Sequence, residues 1–324
     1  MIRSIKQSLL FTGACAALVL ASGCDKKKTG GGGGGGGGAW LVGQDGLMAD
    51  LDVLGRMGDG YDLDSEHDLL GIVCRGLDTA FVVGELGTFL RTFDGGATWD
   101  VVDLATTRTL RSVATSGPST VYVAGDGILV MSPDSGRTFT SLPVDPSTSW
   151  LAVASGHGSD GALALDAGGQ VWRYDAEFRT MGAVTSLTDA RVVAMSHDGA
   201  RAVVAGNGRT LLRSEDAGRS WRQIDLGREL DLYDAWVTQA GDTVAVGAGG
   251  VIARVDIGGA VVISEVGSGA LRAVHVNAQG RGLAAGDDGE VLSTTDGGRT
   301  WSPLPVALSG TVFGVDEVAG DGHL

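Results

Sequence analysis

Thr92-Phe93-Asp94-Gly95-Gly96-Ala97-Thr98-Trp99 decides the fold, because it returns in register along the chain. The copies read Ser132-Pro133-Asp134-Ser135-Gly136-Arg137-Thr138-Phe139, Ser214-Glu215-Asp216-Ala217-Gly218-Arg219-Ser220-Trp221 and Thr294-Thr295-Asp296-Gly297-Gly298-Arg299-Thr300-Trp301. Degenerate copies stand where the period demands them, at Asp52, Asp175 and Asp256. In each copy the carboxylate can accept hydrogen bonds from turn N–H groups. The glycine two residues on can take a positive φ. The aromatic five residues on can pack between neighbouring sheets, and the leading Ser or Thr can tie the turn to its own unit. Asp94, Asp134, Asp216 and Asp296 therefore read as structural turn residues rather than catalytic ones.

Upstream of each box lies a second motif, an apolar residue and glycine followed by another glycine and an apolar run. It occurs at Val42-Gly43, Val83-Gly84, Ala124-Gly125, Ala205-Gly206, Val246-Gly247 and Ala285-Gly286, with Asp166 in the corresponding place of the remaining unit. The steps are 41, 41, 41, 40, 41 and 39 residues. An apolar strand precedes each unit, at 69–74, 110–114, 150–154, 190–194, 232–237 and 271–276, and a last one lies at 311–315. Each repeat thus reads as four short strands, which is a propeller blade. The first unit starts at Trp40 with its second strand, and the chain ends on a spare inner strand. The predicted fold is all-β, a seven-bladed β-propeller closed by pairing of its N- and C-terminal strands, which removes exposed sheet edges.

The boxes resemble the Asp-boxes of BNR-type repeats. Seven short, even blades bearing them resemble the photosystem II stability/assembly factor type of propeller, also described as having sortilin-like repeats. The resemblance covers Trp40 to about Val318. It implies boxes on the rim, away from the working surface, and a protein that binds membrane-protein intermediates. Asp-boxes also occur in sialidases. Those enzymes need three arginines, a Tyr–Glu pair and an acid/base Asp, and commonly an Arg-Ile-Pro motif, which is absent from this sequence, while the even period leaves no long insertion to build a pocket.

The N-terminus reads as an address. Arg3 and Lys6 precede an apolar run from Leu9 to Ala21, too short to span a membrane comfortably. It ends in Leu20-Ala21-Ser22-Gly23-Cys24, which resembles the bacterial lipobox and implies a diacylated Cys24 as the mature N-terminus. Residues 1–23 are the expected lipoprotein signal peptide, and 24–38 the lipidated cysteine and a polyglycine tether. Residues 39–324 are the expected propeller. The expected location is the bacterial cell envelope, outside the cytoplasm and lipid-anchored to a membrane. Of the three cysteines only Cys74 is left for the propeller, where it reads as a small core residue.

Formal charge is −15 from 24 basic and 39 acidic side chains, and loss of residues 1–23 makes it −17. Such a surface repels phosphate backbones, so no nucleic-acid partner is expected. No cofactor is expected, and the chain is expected to be a monomer.

In a propeller the loops entering the inner strand and the turns between second and third strands share one face. Acids Asp45, Glu85, Asp126, Asp166, Asp287 and Asp288 fall there. So do Arg111, Arg191 and Arg272, at one repeat position of the inner strand. Arg111, Arg191, Arg272, Asp126 and Asp287 are the candidate binding face, although ion pairs that simply brace the scaffold would look the same. The loop 59–68 concentrates five carboxylates and a histidine. Asp62, Asp64 and Glu66 are weak candidates for a cation, although the spacing does not fit an EF-hand. Two functions stay open. One is a non-catalytic, membrane-tethered scaffold for a protein or envelope glycan. The other is a carbohydrate-active enzyme, whether an Asp-box glycoside hydrolase or a sialidase-like one.

Overall fold

The computed structural model describes residues 26–27, 38–52, 56–58, 67–159 and 161–317. Signal peptide, Cys24, most of the tether, and Asp62, Asp64 and Glu66 lie outside the described residues.

Inner strands form at Leu69–Arg75, Leu110–Ser116, Trp150–Ala154, Ala190–Met195 and Leu271–Val276. The inner strand of blade 6 is the second half of a long strand, Arg222–Val237. Its first half is the outer strand of blade 5, which fuses two blades into one six-stranded sheet. The other five sheets each hold one blade, so the described residues form seven blades. Blade 1 is shorter than expected, with three strands and a single bridge between Leu51 and Met57 in place of a fourth.

Closure is as expected. Val312–Glu317 pairs antiparallel with Ala39–Gly43, from Ala39 opposite Glu317 to Gly43 opposite Val312. A two-residue strand, Lys26–Lys27, also lies against Thr98 and Trp99 at the outside of blade 2.

The core confirms the count independently. Apolar side chains fall into seven clusters, each drawn from two adjacent blades. Alternation along the second strand produces this: Leu41 packs toward blade 7 and Val42 toward blade 2. With both faces covered, these strands read as continuous apolar runs such as Phe81-Val82-Val83.

The Asp-boxes hold their turns as the sequence implies. Thr98 donates through its N–H and hydroxyl to the two oxygens of Asp94, at 2.9 and 2.6 Å. Thr92 donates to Asp94 at 2.7 Å and accepts the buried N–H of Gly96 at 3.0 Å. Equivalent bonds recur at Asp134, Asp216 and Asp296. The degenerate copies keep the acceptor: Asp52, Asp175 and Asp256 take the N–H groups of Arg56, Phe178 and Ala260. Gly218 has φ 80°, and a Cβ there would stand 2.6 Å from Leu163 of the preceding blade. Here glycine answers both a backbone and a packing need.

Candidate binding face

All seven inner strands carry a β-bulge at the same register. The pairing slips between Leu69 and Gly71, Leu110 and Ser112, Trp150 and Ala152, and Ala190 and Val192. It slips likewise between Leu232 and Asp234, between Leu271 and Ala273, and across Val312 and Gly314. A bulge leaves one residue unpaired and re-aims its side chain. The seven residues so placed are Phe313, Leu70, Arg111, Leu151, Arg191, Tyr233 and Arg272, from blade 1 to blade 7. All line the central channel, whose volume is about 1580 Å³.

The three arginines singled out in the sequence therefore do share one mouth. Arg111 Nε and Nη2 donate to Asp126 Oδ1 and Oδ2, each at 3.0 Å. Arg272 Nε and Nη2 donate to Asp287 at 2.5 and 3.3 Å. Both pairs lie within one blade, so neither braces two blades together. Arg191 differs, since its Nη1 lies 3.3 Å from Asp231 of the next blade. The Arg111 bond holds Asp126 below the usual carboxylate range, and Asp287 keeps the Arg272 guanidinium charged.

The sequence reading misses Tyr233. Its hydroxyl donates to Asp231 at 2.9 Å. The guanidinium carbons of Arg191 and Arg272 stand 4.9 and 5.2 Å from its ring centre. Burial and Asp231 push its phenol up, so it stays a donor. The signal was present, because Tyr233 follows Leu232 as Arg191 follows Ala190; reading one register position across all repeats would have found it. Side chains of Arg111, Asp126, Arg191 and Asp231 are about 40% exposed. Such pairs contribute only about 0–1 kcal/mol each. Their guanidinium groups can therefore exchange an internal carboxylate for an incoming one at little cost to the fold.

Of the other acids of this face, Glu85 and Asp166 accept local hydrogen bonds, Glu85 from the Asp68 N–H at 3.4 Å. Asp68 accepts from the N–H of Asp45 at 3.0 Å, and Asp166 accepts from Trp172 Nε1 at 2.9 Å. The Asp-boxes lie on the opposite face. Their turns donate to the loops at the far ends of the inner strands, as Gly95 to Asp78 and Ala217 to Ala200, at 2.9 and 2.8 Å.

Three channel-wall acids are raised by burial, Asp234 and Asp316 each to about 7 and Glu317 in the same direction. The first two serve the packing of blades. Asp234 accepts the Val274 N–H at 2.8 Å, and Asp316 accepts the Cys74 N–H at 2.7 Å. Cys74, expected in the core, is only partly buried and lines the channel wall. Among the described residues no group of three or more His, Cys, Asp or Glu could hold a metal ion.

The family profile described as photosynthesis system II assembly factor YCF48 matches residues 57–152. The solved structure "YCF48 bound to D1 peptide" superposes with a TM-score of 0.59 at 20% identity, covering 72% of this chain and 81% of that one. YCF48 from Cyanidioschyzon merolae gives a TM-score of 0.59 at 17% identity, covering 75% and 87%. No curated protein matches in sequence. The resemblance carried by the Asp-boxes thus holds, in sequence over residues 57–152 and in fold as a β-propeller.

Proposed function

We propose that this chain is a non-catalytic binding scaffold of the assembly-factor kind, which takes a carboxylate-bearing protein segment at the bulge-lined mouth. The observation that carries it is the bulge at one register of every blade. This places Arg111, Arg191, Tyr233 and Arg272 around a single opening. Guanidinium groups bind carboxylates in a bidentate fashion, and here they already do so with the chain's own acids. The likeness to YCF48 points the same way, because one such structure is described with a bound peptide. A glycosidase acid would need a raised pKa at an accessible site. Asp126 on this face is lowered, and the two strongly raised acids are engaged by backbone N–H groups in the channel wall.

The N-terminal sequence adds a location to this proposal. Export through residues 1–23 and lipidation at Cys24 would hold the propeller at a bacterial membrane, where a membrane-protein segment is within reach.

The test is binding of a fluorescent Gly/Ser nonapeptide ending in Asp-Asp, against the same peptide ending in Lys-Lys with an amidated terminus. The acidic peptide should bind, more weakly as salt rises, and the Arg191→Gln/Arg272→Gln variant should lose most of that affinity while melting like the parent. Equal binding of both peptides, or no effect of the double substitution, contradicts the proposal.

A further inference from the structure

Arg111 of blade 3 apart, the mouth is divided chemically, and beside its apolar side stands a residue that the fold does not require. Blades 5 to 7 present Arg191, Tyr233 and Arg272. Blades 1 and 2 present Phe313 and Leu70, both half-buried at the opening. Glycines follow both of these residues and let the two inner strands draw close. A Cβ on Gly314 would stand 3.4 Å from the Gly71 Cα. Phe313 and Leu70 are thereby neighbours.

Beside Leu70, on the side of blade 3, lies the turn Glu85–Gly87. Its Glu85 N–H donates to Asp68 O at 3.0 Å, beside Leu69 and Leu70, and the turn packs against the strand that carries Arg111. At its tip stands Leu86, with φ 51° and 56% exposure. The same turn position in the other blades holds Asp45, Gly127, Gly168, Gly208, Gly249 and Asp288. Glycine and aspartate tolerate the left-handed conformation, whereas a bulky aliphatic residue there is an outlier. Leu86 therefore pays twice, in backbone strain and in apolar surface left in water. Scattered exposed leucines need no explanation, but a strained one on a turn beside the mouth does.

We infer that Leu86, with Leu70 and Phe313, forms an apolar subsite that receives a leucine- or phenylalanine-sized side chain of the same protein segment whose carboxylate engages the arginines. This rests on the binding mode proposed above and adds to it a requirement on the partner. Acidity alone is not enough, and an apolar residue must stand a fixed number of positions away. Blades 1 and 2 lie across the opening from blades 5 and 6, so the segment spans the mouth rather than entering the channel end-on.

The experiment uses the full chain and two series of fluorescent Gly/Ser peptides ending in Asp-Asp. One series is otherwise bare, and the other carries a single Leu placed two to eight residues before the acids. At the best spacing the leucine should improve affinity about tenfold, as burial of part of one aliphatic side chain gives. Leu86→Gly should remove most of that gain, leave the bare acidic peptide's affinity unchanged and leave the melting temperature unchanged or higher. Arg191→Gln should weaken both series alike. If the leucine brings no gain at any spacing, or Leu86→Gly keeps the gain, the subsite is overturned while the arginine site stands. If neither series binds, both readings fall together.

Discussion

Asp316, on the strand Val312–Glu317, accepts a 2.7 Å hydrogen bond from the backbone N–H of Cys74, 242 residues earlier. Its other oxygen lies 3.3 Å from His275 Nε2. One buried side chain on the closing strand thus touches the blades on both sides of it. The ring is closed by this strand's pairing with Ala39–Gly43 and by the apolar clusters on its two flanks. A chain cut after Ser309 should lose far more than a frayed end. It leaves blade 1 without an inner strand and two blades with open apolar faces. Thermal unfolding should shift as a whole, and an unchanged melting curve would show that the ends do not close the ring.

The channel-wall acids make stability depend on pH with an unusual sign. Burial lifts Asp234 and Asp316 from an ordinary 3.8 to about 7, despite the N–H bonds they accept. Between those values the folded state keeps protons that the unfolded chain releases, so stability falls as pH rises. His275 opposes this, since burial lowers it from 6.5 to about 4 and its contribution is lost as pH falls through that range. Asp234 and Asp316, joined by Glu317, which burial also raises, outweigh one imidazole and leave a net fall toward neutral pH. Urea unfolding at pH 5.5 and 7.5 should show the parent weaker at 7.5. Asp234→Asn, which keeps an oxygen for the Val274 N–H, should narrow the difference. An unaltered pH profile in that variant would show that Asp234 ionises normally.

The Asp-boxes should behave as stability elements. Asp216 and Asp296 are held at about 2, the first by the Ser220 hydroxyl and N–H, the second by Thr300 against the upward push of partial burial. Asp→Ala at Asp94, Asp216 or Asp296 frees a hydroxyl that positions a buried glycine N–H. Each should cost about 1–2 kcal/mol, and losses from separate blades should add. Chemical denaturation of single and double variants measures this. A box substitution that abolished peptide binding at unchanged stability would move the working surface to the rim.

Two box turns carry avoidable strain. Ser135 and Ala217 have φ near 58° at the position occupied by Gly95 and Gly297 in sister boxes. Ala217→Gly should stabilise the protein by up to about 1 kcal/mol, the relief of a left-handed alanine less the entropy cost of glycine. A lowered unfolding midpoint would show that the alanine methyl packs more usefully than its backbone angle costs.

Cys24 should carry lipid, because small residues precede it and a charged start and apolar run precede those. Cells fed a fatty-acid probe should label the parent and not the Cys24→Ser variant. Label that survives the substitution would place the acyl chain elsewhere.

Much of the scaffold is legible in the sequence because a repeat states its register over and over. Glycines at Gly43, Gly84 and Gly125 and the boxes at Asp94 and Asp134 mark turns whose chemistry is local, so spacing alone locates the strands. The spare strand at the C-terminus likewise follows from counting. What spacing does not show is where hydrogen-bond pairing slips. The bulges that aim Arg111 and Tyr233 at one opening follow from tertiary pairing and leave no residue signature. The continuous strand Arg222–Val237 hides for another reason, since Gly227, with φ 81°, reads as a turn between two separate strands. Tyr233 escapes a search for arginines although it occupies their position. Cys74 packs against the apolar cluster between blades 1 and 2, as a core residue would, but its strand also borders the channel, which leaves it only partly buried.

The most direct measurement is hydrogen exchange of the full chain with and without a saturating acidic peptide bearing one leucine. Protection should appear at the starts of the inner strands around Leu70, Arg191, Tyr233, Arg272 and Phe313 and in the turn at Leu86, with exchange at the box turns 92–99 and 294–301 unchanged. Protection confined to the box turns, with the bulge-lined mouth exchanging as in the free protein, would contradict the assignment of that mouth as the binding face.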